Sequence, residues 1–302
     1  MHNQSRIIAV TLVLIAISTL AVGQQTPKAH APAGPTFTFE AVYFPGAQAH
    51  QHVHGINDKG RMVGQVGIPG GSSVTNGYLL QGTTFKKIVY PGADETSTWG
   101  INKSGVIVGF YSTDEGATGH GFTLKGQTFT SFDYPSAIST GPTAINASGA
   151  IVGSYSLTGQ DTHGFLLSKG SFTSIDFPSA TITVPYAINA AGTIVGYYLL
   201  PDLSGHGFVL QNGTYTTLDY PGATNGFVSG INDSGQIVGT YSADGGATYH
   251  GFLLSAATFT SFDVPFGGVV NTFRGAINNK GQIVGRYIDS AGFRWGYVAS
   301  FQ

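Results

Sequence analysis

Six copies of one unit of about 44 residues fill the chain from residue 36 to its end, and they are cut out of phase with the termini. Ile-Asn followed by a turn glycine recurs at Ile56-Asn57, Ile101-Asn102, Ile145-Asn146, Ile188-Asn189, Ile231-Asn232 and Ile277-Asn278. A second marker, ending in x-x-Pro, occupies residues 132–135, 175–178, 218–221 and 262–265, with weaker forms at 88–91 and 42–45. The last unit stops before reaching this marker, whereas the N-terminal segment starts with one that has no unit in front of it. Each unit contains four short stretches of strand character and no sustained helical period, which is the pattern of a propeller blade. The chain therefore reads as all-β: a six-bladed β-propeller of four-stranded repeats, closed by the N-terminal strand completing the last blade. An open solenoid would need polar capping units, and neither end offers one. Closure also removes the sheet edges that invite aggregation.

Within a unit the first two strands meet at Asn-x-x-Gly, as in residues 57–60 and 232–235. Asparagine opens such a turn by bonding its own backbone, and glycine accepts the left-handed position that follows. Asp58 and Asp233 stand in two of these turns, but the dense oxygen pattern of a calcium loop is missing. In the fifth unit the strands are expected at 227–232, 236–241, 250–254 and 258–264. Longer connections on one face are expected at 112–119, 199–205, 223–228 and 267–272, with only tight hairpins on the other face.

His-Gly-Phe recurs at His120, His163, His206 and His250, and each histidine precedes an aspartate by 13 residues: Asp133, Asp176, Asp219 and Asp263. Reflection about the two-residue turns Lys169-Gly170 and Asn212-Gly213 puts His163 opposite Asp176 and His206 opposite Asp219. Each pair belongs to a different blade and to its outer half, so the four histidines cannot converge on one ion. They read as structural cross-strand pairs. Tyr111, Tyr155, Tyr198, Tyr241 and Tyr287, each two residues after a glycine, read as core between blades.

The chain begins with Arg6 and an apolar run that ends in Ala21-Val22-Gly23, a small-x-small cleavage pattern. Residues 1–23 thus read as a secretory signal peptide and residues 24–35, rich in Pro and Ala, as a linker before the propeller at 36–302. The apolar run is too short to remain as a membrane span once this leader is cleaved. There is no cysteine, so neither a disulfide framework nor a lipidated thiol is available. Only 9% of residues are charged and the net charge is −2, which attracts no nucleic acid. A secreted or periplasmic monomer is expected.

The repeated His-Gly-Phe-Leu-Leu and Gly-Ile-Asn-x-x-Gly-x-Ile-Val-Gly-x-Tyr segments resemble the HAF family of bacterial extracellular repeat proteins, over essentially all of 36–302. The chain departs from it by carrying glycine where that family has alanine in His-Ala-Phe, and the last unit has Trp295-Gly296-Tyr297 without the histidine. The resemblance implies export and repetition and brings no catalytic residues.

Function is expected where the repeat fails. The position before each small-Ile-Asn element reads His54, Trp99, Thr143, Tyr186, Ser229 and, with one inserted residue, Gly275 beside Arg274, and is expected to ring the channel mouth. Such a mixture suits a small polar ligand, a carbohydrate, or a protein or peptide end; the same residues could equally plug the channel. His50, His52 and His54 break the pattern outright, and alternation along an extended strand would present all three to a divalent metal such as zinc or copper. No nucleophile elbow, phosphate loop or metalloprotease helix is present. The leading reading is a secreted non-catalytic binding or interaction module using its long-loop face, without a cofactor. A metal-dependent hydrolase or lyase at the channel mouth, and a purely structural envelope or matrix protein, are the alternatives.

Overall fold

The computed structural model describes residues 35–46, 50–67 and 75–302. The signal peptide expected at 1–23 and nearly all of the linker expected at 24–35 lie outside the described residues. What is described forms six four-stranded antiparallel sheets. Blade one is Gln51–Ile56, Met62–Gly67, Thr75–Gln81 and Thr84–Ile88, and blades two to five repeat this order. Blade six takes its inner three strands from Val269–Ile277, Gln282–Asp289 and Arg294–Phe301, and its outermost from Phe37–Val42 at the other end of the chain. The seam is in register from Phe37 opposite Phe301 to Val42 opposite Gly296. At its end the buried side chain of Gln51 donates from Nε2 to the Val42 carbonyl, fastening the seam strand to blade one.

Two repeated features explain why this sequence stacks as blades. In the second strand the glycine of Ile-Val-Gly lies directly opposite an aromatic of the third strand: Gly109 opposite Phe122, Gly153 opposite Phe165, Gly196 opposite Phe208 and Gly239 opposite Phe252. Tyr78 and Tyr297 take that place opposite Gly64 and Gly285. The ring folds over the glycine, where a Cβ on Gly109 would come within 2.9 Å of Phe122 and 2.0 Å of the Ser97 carbonyl. These six rings are 0–1% exposed, and burying each stabilises the fold by roughly 1.5–3 kcal/mol. The second feature joins neighbours. The aromatic before the marker proline stacks on the Gly-x-Tyr tyrosine of the next blade, as in Tyr134 on Tyr155 and Phe177 on Tyr198, with centroids 3.6 Å apart. The tyrosines are thus interblade core.

The Asn-x-x-Gly turns do more than turn. Each asparagine Oδ1 accepts from its own loop, as Asn102 does from Ser104 N and Val106 N. Each Nδ2 donates to the carbonyl of the corresponding asparagine in the next blade: Asn57 to Asn102, Asn102 to Asn146, Asn146 to Asn189, Asn189 to Asn232 and Asn232 to Asn278. Asn278 returns the bond to Asn57. A single turn motif, repeated six times, closes as a ring of hydrogen bonds among buried side chains.

Boundaries differ from expectation at the inner strands. Blade five begins at Asn225 and blade six at Val269, inside segments expected to be loop at 223–228 and 267–272. Pairing of Asn225 with Ser242 and of Val269 with Asp289 extends the ladders into those segments, in blade six through the strand-forming pair Val269-Val270.

Candidate functional site

The inner strands carry the non-repeating side chains, and in every blade their ladder slips by one residue. The shifts fall between Val53 and Gly55, Thr98 and Gly100, Pro142 and Ala144, Pro185 and Ala187, Val228 and Gly230, and Phe273 and Gly275. The bulged residues are therefore His54, Trp99, Thr143, Tyr186, Ser229 and Arg274. The backbone register skips each bulged residue, so the side chain there is not fixed by a directly opposed strand neighbour, which suits positions that differ from blade to blade. They stand three or four residues before the turn asparagine. They accordingly sit nearer the tight-hairpin end of the inner strand than the long-loop mouth where they were expected.

These positions divide by what they touch. The hydroxyl of Thr143 donates to Val152 O and Pro185 O, and that of Ser229 to Val238 O and Gly275 O, so both are committed to the joint with the next blade. The ring of Tyr186 is buried and stacks on Tyr197 at 5.6 Å. For Arg274 the described structure gives the backbone place alone. His54 and Trp99 remain half-buried. Their rings lie 4.0 Å apart across the joint between blades one and two, and His54 Nδ1 is 3.2 Å from Thr98 O. The buried indole Nε1 of Trp99 meets no acceptor among the described residues.

From this pair an aromatic and cationic arc runs back through blades one and six. His52 lies 5.5 Å from His54 by ring centroids, Arg286 Nη1 is 3.4 Å from His52 Nε2, and the Arg286 guanidinium sits 4.8 Å over Phe273. Arg286 is the middle residue of the blade-six Gly-x-Tyr, a position filled by Gln65, Phe110, Ser154, Tyr197 and Thr240 elsewhere. It pairs directly with the inner strand, Arg286 opposite Phe273 and Gln65 opposite His52. Sequence reasoning missed this second variable set; its signal was the variable residue between an invariant glycine and a residue that is tyrosine in every unit but the first, where it is Val66.

The three histidines at 50, 52 and 54 do not stand together as alternation implied, because the bulge at His54 interrupts it. His50 is exposed beside Arg294, while His52 is buried against Arg286. Burial, then the charges of Arg286, His54, Arg294 and His50, hold the His52 imidazole well below its usual range. Burial and the two arginines lower His50 as well. Among the described residues no group of three His, Cys, Asp or Glu is placed to hold a metal ion, and cationic neighbours of this kind oppose one electrostatically.

The four His–Asp pairs are formed. Nδ1 lies 3.0 Å from the carboxylate in His120–Asp133, 2.7 Å in His163–Asp176, 2.8 Å in His206–Asp219 and 2.9 Å in His250–Asp263. Each sits at the start of a third strand, on the long-loop rim, far from the other three along the ring. In blade six Trp295 and Tyr43 take these places and meet edge to face at 5.3 Å. The long-loop face also carries Asp114, Asp161, Asp202, Asp244 and Asp289, and every exposed large hydrophobic side chain among the described residues, Leu157, Leu203 and Phe293 included. The exposed lysines Lys59, Lys103, Lys125, Lys169 and Lys280 lie at the tight hairpins of the opposite face.

This frame recurs in lectins and other propellers. AofleA from Arthrobotrys oligospora aligns over 90% of both chains, with a TM-score of 0.57 and 11% identity. The fucose-specific lectin from Aleuria aurantia aligns over 83% of this chain and 94% of its own, at 0.51 and 11%. TolB from Acinetobacter baumannii aligns over 80% of this chain and 66% of its own, at 0.54 and 13%. No family model and no curated protein matches the sequence. At such identities the likeness is one of fold. The bulge arc is where this chain departs from its own repeat.

Proposed function

We propose that the protein is an exported, non-catalytic binding module that holds a saccharide or similar small polar ligand along its inner strands, against His54 and Trp99. The observation that carries this reading is the half-buried His54–Trp99 pair with its indole donor unused by the described protein. An aromatic face accepts the C–H side of a sugar, and an adjacent N–H donor fixes a hydroxyl oxygen, which is the usual composition of a small-ligand site. The fold also frames a fucose-specific lectin. Catalysis finds less support, because the recurring His–Asp pairs are spent one per blade on each other. Export rests on the leader-like segment at 1–23 and on the resemblance to extracellular repeat proteins.

Trp99→Ala tests the site. On an immobilised panel of neutral and acidic saccharides, the variant is expected to lose roughly tenfold or more in affinity for whatever the native protein retains, with its melting temperature little changed. Undiminished binding by a folded variant would move the site elsewhere.

A further inference from the structure

We infer that the groove between blades two and three, on the tight-hairpin face, is a second ligand site, built from Thr123, Lys125, Thr128 and Thr130 against Ile145 and Ile151, and that it takes a small polyhydroxy carboxylate.

The groove exists because one residue departs from the repeat. Directly after the aromatic that folds over each second-strand glycine stand Leu79, Thr123, Leu166, Val209, Leu253 and Val298. In five joints this residue is aliphatic and joins the cluster that holds the inner hairpin of the following blade. Leu79 does so with Ile101 and Ile107, Leu166 with Ile188 and Ile194, and Val209 with Ile231 and Ile237. Leu253 meets Ile277 and Ile283 in the same way, and Val298 meets Ile56 and Met62. At the joint between blades two and three the equivalent pair is Ile145 and Ile151, and these line one groove with Thr123. Threonine is shorter than leucine and brings a hydroxyl, so the space that an aliphatic side chain occupies elsewhere stays open here. The groove measures about 470 Å³, within the range of roughly 300–1,000 Å³ that small-ligand pockets occupy.

Its walls differ in chemistry. Strand alternation puts Lys125 on the same face as Thr123, and the ladder sets Thr130 opposite Thr123 and Thr128 opposite Lys125. One wall is thus three hydroxyls and an ammonium, and all four side chains line the groove. Among the described residues every ion pair joins a histidine to an aspartate, so Lys125 belongs to none. The facing wall is aliphatic, and Gly149 beside it leaves open space where a Cβ would stand. A ligand with hydroxyls on one side and C–H groups on the other satisfies both walls, since threonine hydroxyls both donate and accept.

The surrounding field selects the charge. The hairpins of this face carry Lys59, Lys103, Lys125, Lys169 and Lys280, and Lys103 directly follows the groove residue Asn102. Their two carboxylates, Asp58 and Asp233, both accept from the Asn279 amide in blades five, six and one, across the ring from this joint. The other loop aspartates stand on the opposite face. A carboxylate at the mouth of the groove therefore meets Lys125, with Lys103 on the same blade and no hairpin carboxylate beside it.

Titration calorimetry on the full chain tests the site with glucuronate, galacturonate and gluconate, each beside its neutral counterpart glucose, galactose or sorbitol. At least one acid is expected to bind about tenfold or more tighter than its counterpart at low salt. Preference for the ring or for the open chain then distinguishes a sugar acid from a linear hydroxy acid. Thr123→Leu restores the residue type of the other joints, so it should melt no earlier than the native protein while losing about tenfold or more in affinity for that acid. Lys125→Gln, an exposed change that carries the test should Thr123→Leu melt early, should lower the same affinity several-fold. Trp99→Ala should leave it unchanged. Undiminished acid binding by a folded Thr123→Leu and by Lys125→Gln would overturn the site, as would equal affinity for acids and neutral counterparts or no binding of any acid. Acid binding lost in Trp99→Ala but kept in Thr123→Leu would place the ligand at the inner strands and overturn the second site alone.

Discussion

The side-chain amide of Asn278 donates to the backbone carbonyl of Asn57 at 3.0 Å, joining two residues that are 221 apart in sequence and closing the hydrogen-bonded ring that the other five asparagines carry around the propeller. The seam of this molecule is therefore double. Backbone pairing of the N-terminal strand holds the outside of blade six, and an asparagine holds its inside.

The two functions of that asparagine can be separated. Asn278→Asp keeps the Oδ1 acceptor used by Lys280 N and Gln282 N but loses the donor to Asn57. It should cost roughly 1–3 kcal/mol, because a buried carboxylate oxygen then faces the Asn57 carbonyl and Gln282 Oε1, and Asn278→Ala, which strips the turn without adding a charge, should cost a similar amount. Denaturant unfolding of both variants measures the losses. No loss in Asn278→Asp would mean that the ring bond at the seam contributes nothing.

A methyl group at Gly109 has no room, because it would press on the Ser97 carbonyl and the Phe122 ring together. Gly109→Ala should destabilise by roughly 3 kcal/mol or more. Gly126, in an exposed hairpin with nothing within 4 Å of a built Cβ and φ of +66°, is the control. Gly126→Asn should stay within about 1 kcal/mol of the native protein. Similar thermal melts for Gly109→Ala and Gly126→Asn would refute the packing argument.

For the rim pairs the expected energies are small. His163 and Asp176 are 36% and 49% exposed at their side chains, so the pair should show a double-mutant coupling of about 0.2–1 kcal/mol. Purely additive losses for His163→Ala and Asp176→Ala would show that the contact adds nothing beyond each residue's own packing.

Acid should loosen the joint between blades six and one. Burial, and then the charges of Arg286, His54, Arg294 and His50, hold His52 well below 6.5. The unfolded imidazole therefore takes up a proton at a pH where the folded one does not. The resulting stabilisation is fully present above 6.5 and is lost as pH falls below it. His50 is shifted in the same direction and adds to the slope. Thermal melts between about pH 7.5 and 5.5 should fall with pH, and more gently in His52→Gln. An equal slope in that variant would locate the titration elsewhere.

The architecture was legible because it is written six times. Out-of-phase markers gave the blade count, the four-stranded unit and the closing strand, and each is found as read. The His–Asp partners followed from reflection about a two-residue turn, since the antiparallel register leaves one choice once the turn is known. The site was legible only in part. Sequence marked His54, Trp99, Thr143, Tyr186, Ser229 and Arg274 as unlike one another, yet could not say that each is a bulge or that the hydroxyls of Thr143 and Ser229 are spent between blades.

By itself, then, the sequence determined what local periodicity and turn chemistry control: strands, hairpins, their number and the way the ring shuts. Tertiary structure alone decided what depends on contacts between blades. It put Arg286 on His52 across the seam, set His54 against Trp99, and turned six separate turn asparagines into one closed ring. Those contacts join residues far apart in the chain, so no window of sequence contains both partners. They exist because closing a ring of equal blades brings the last against the first.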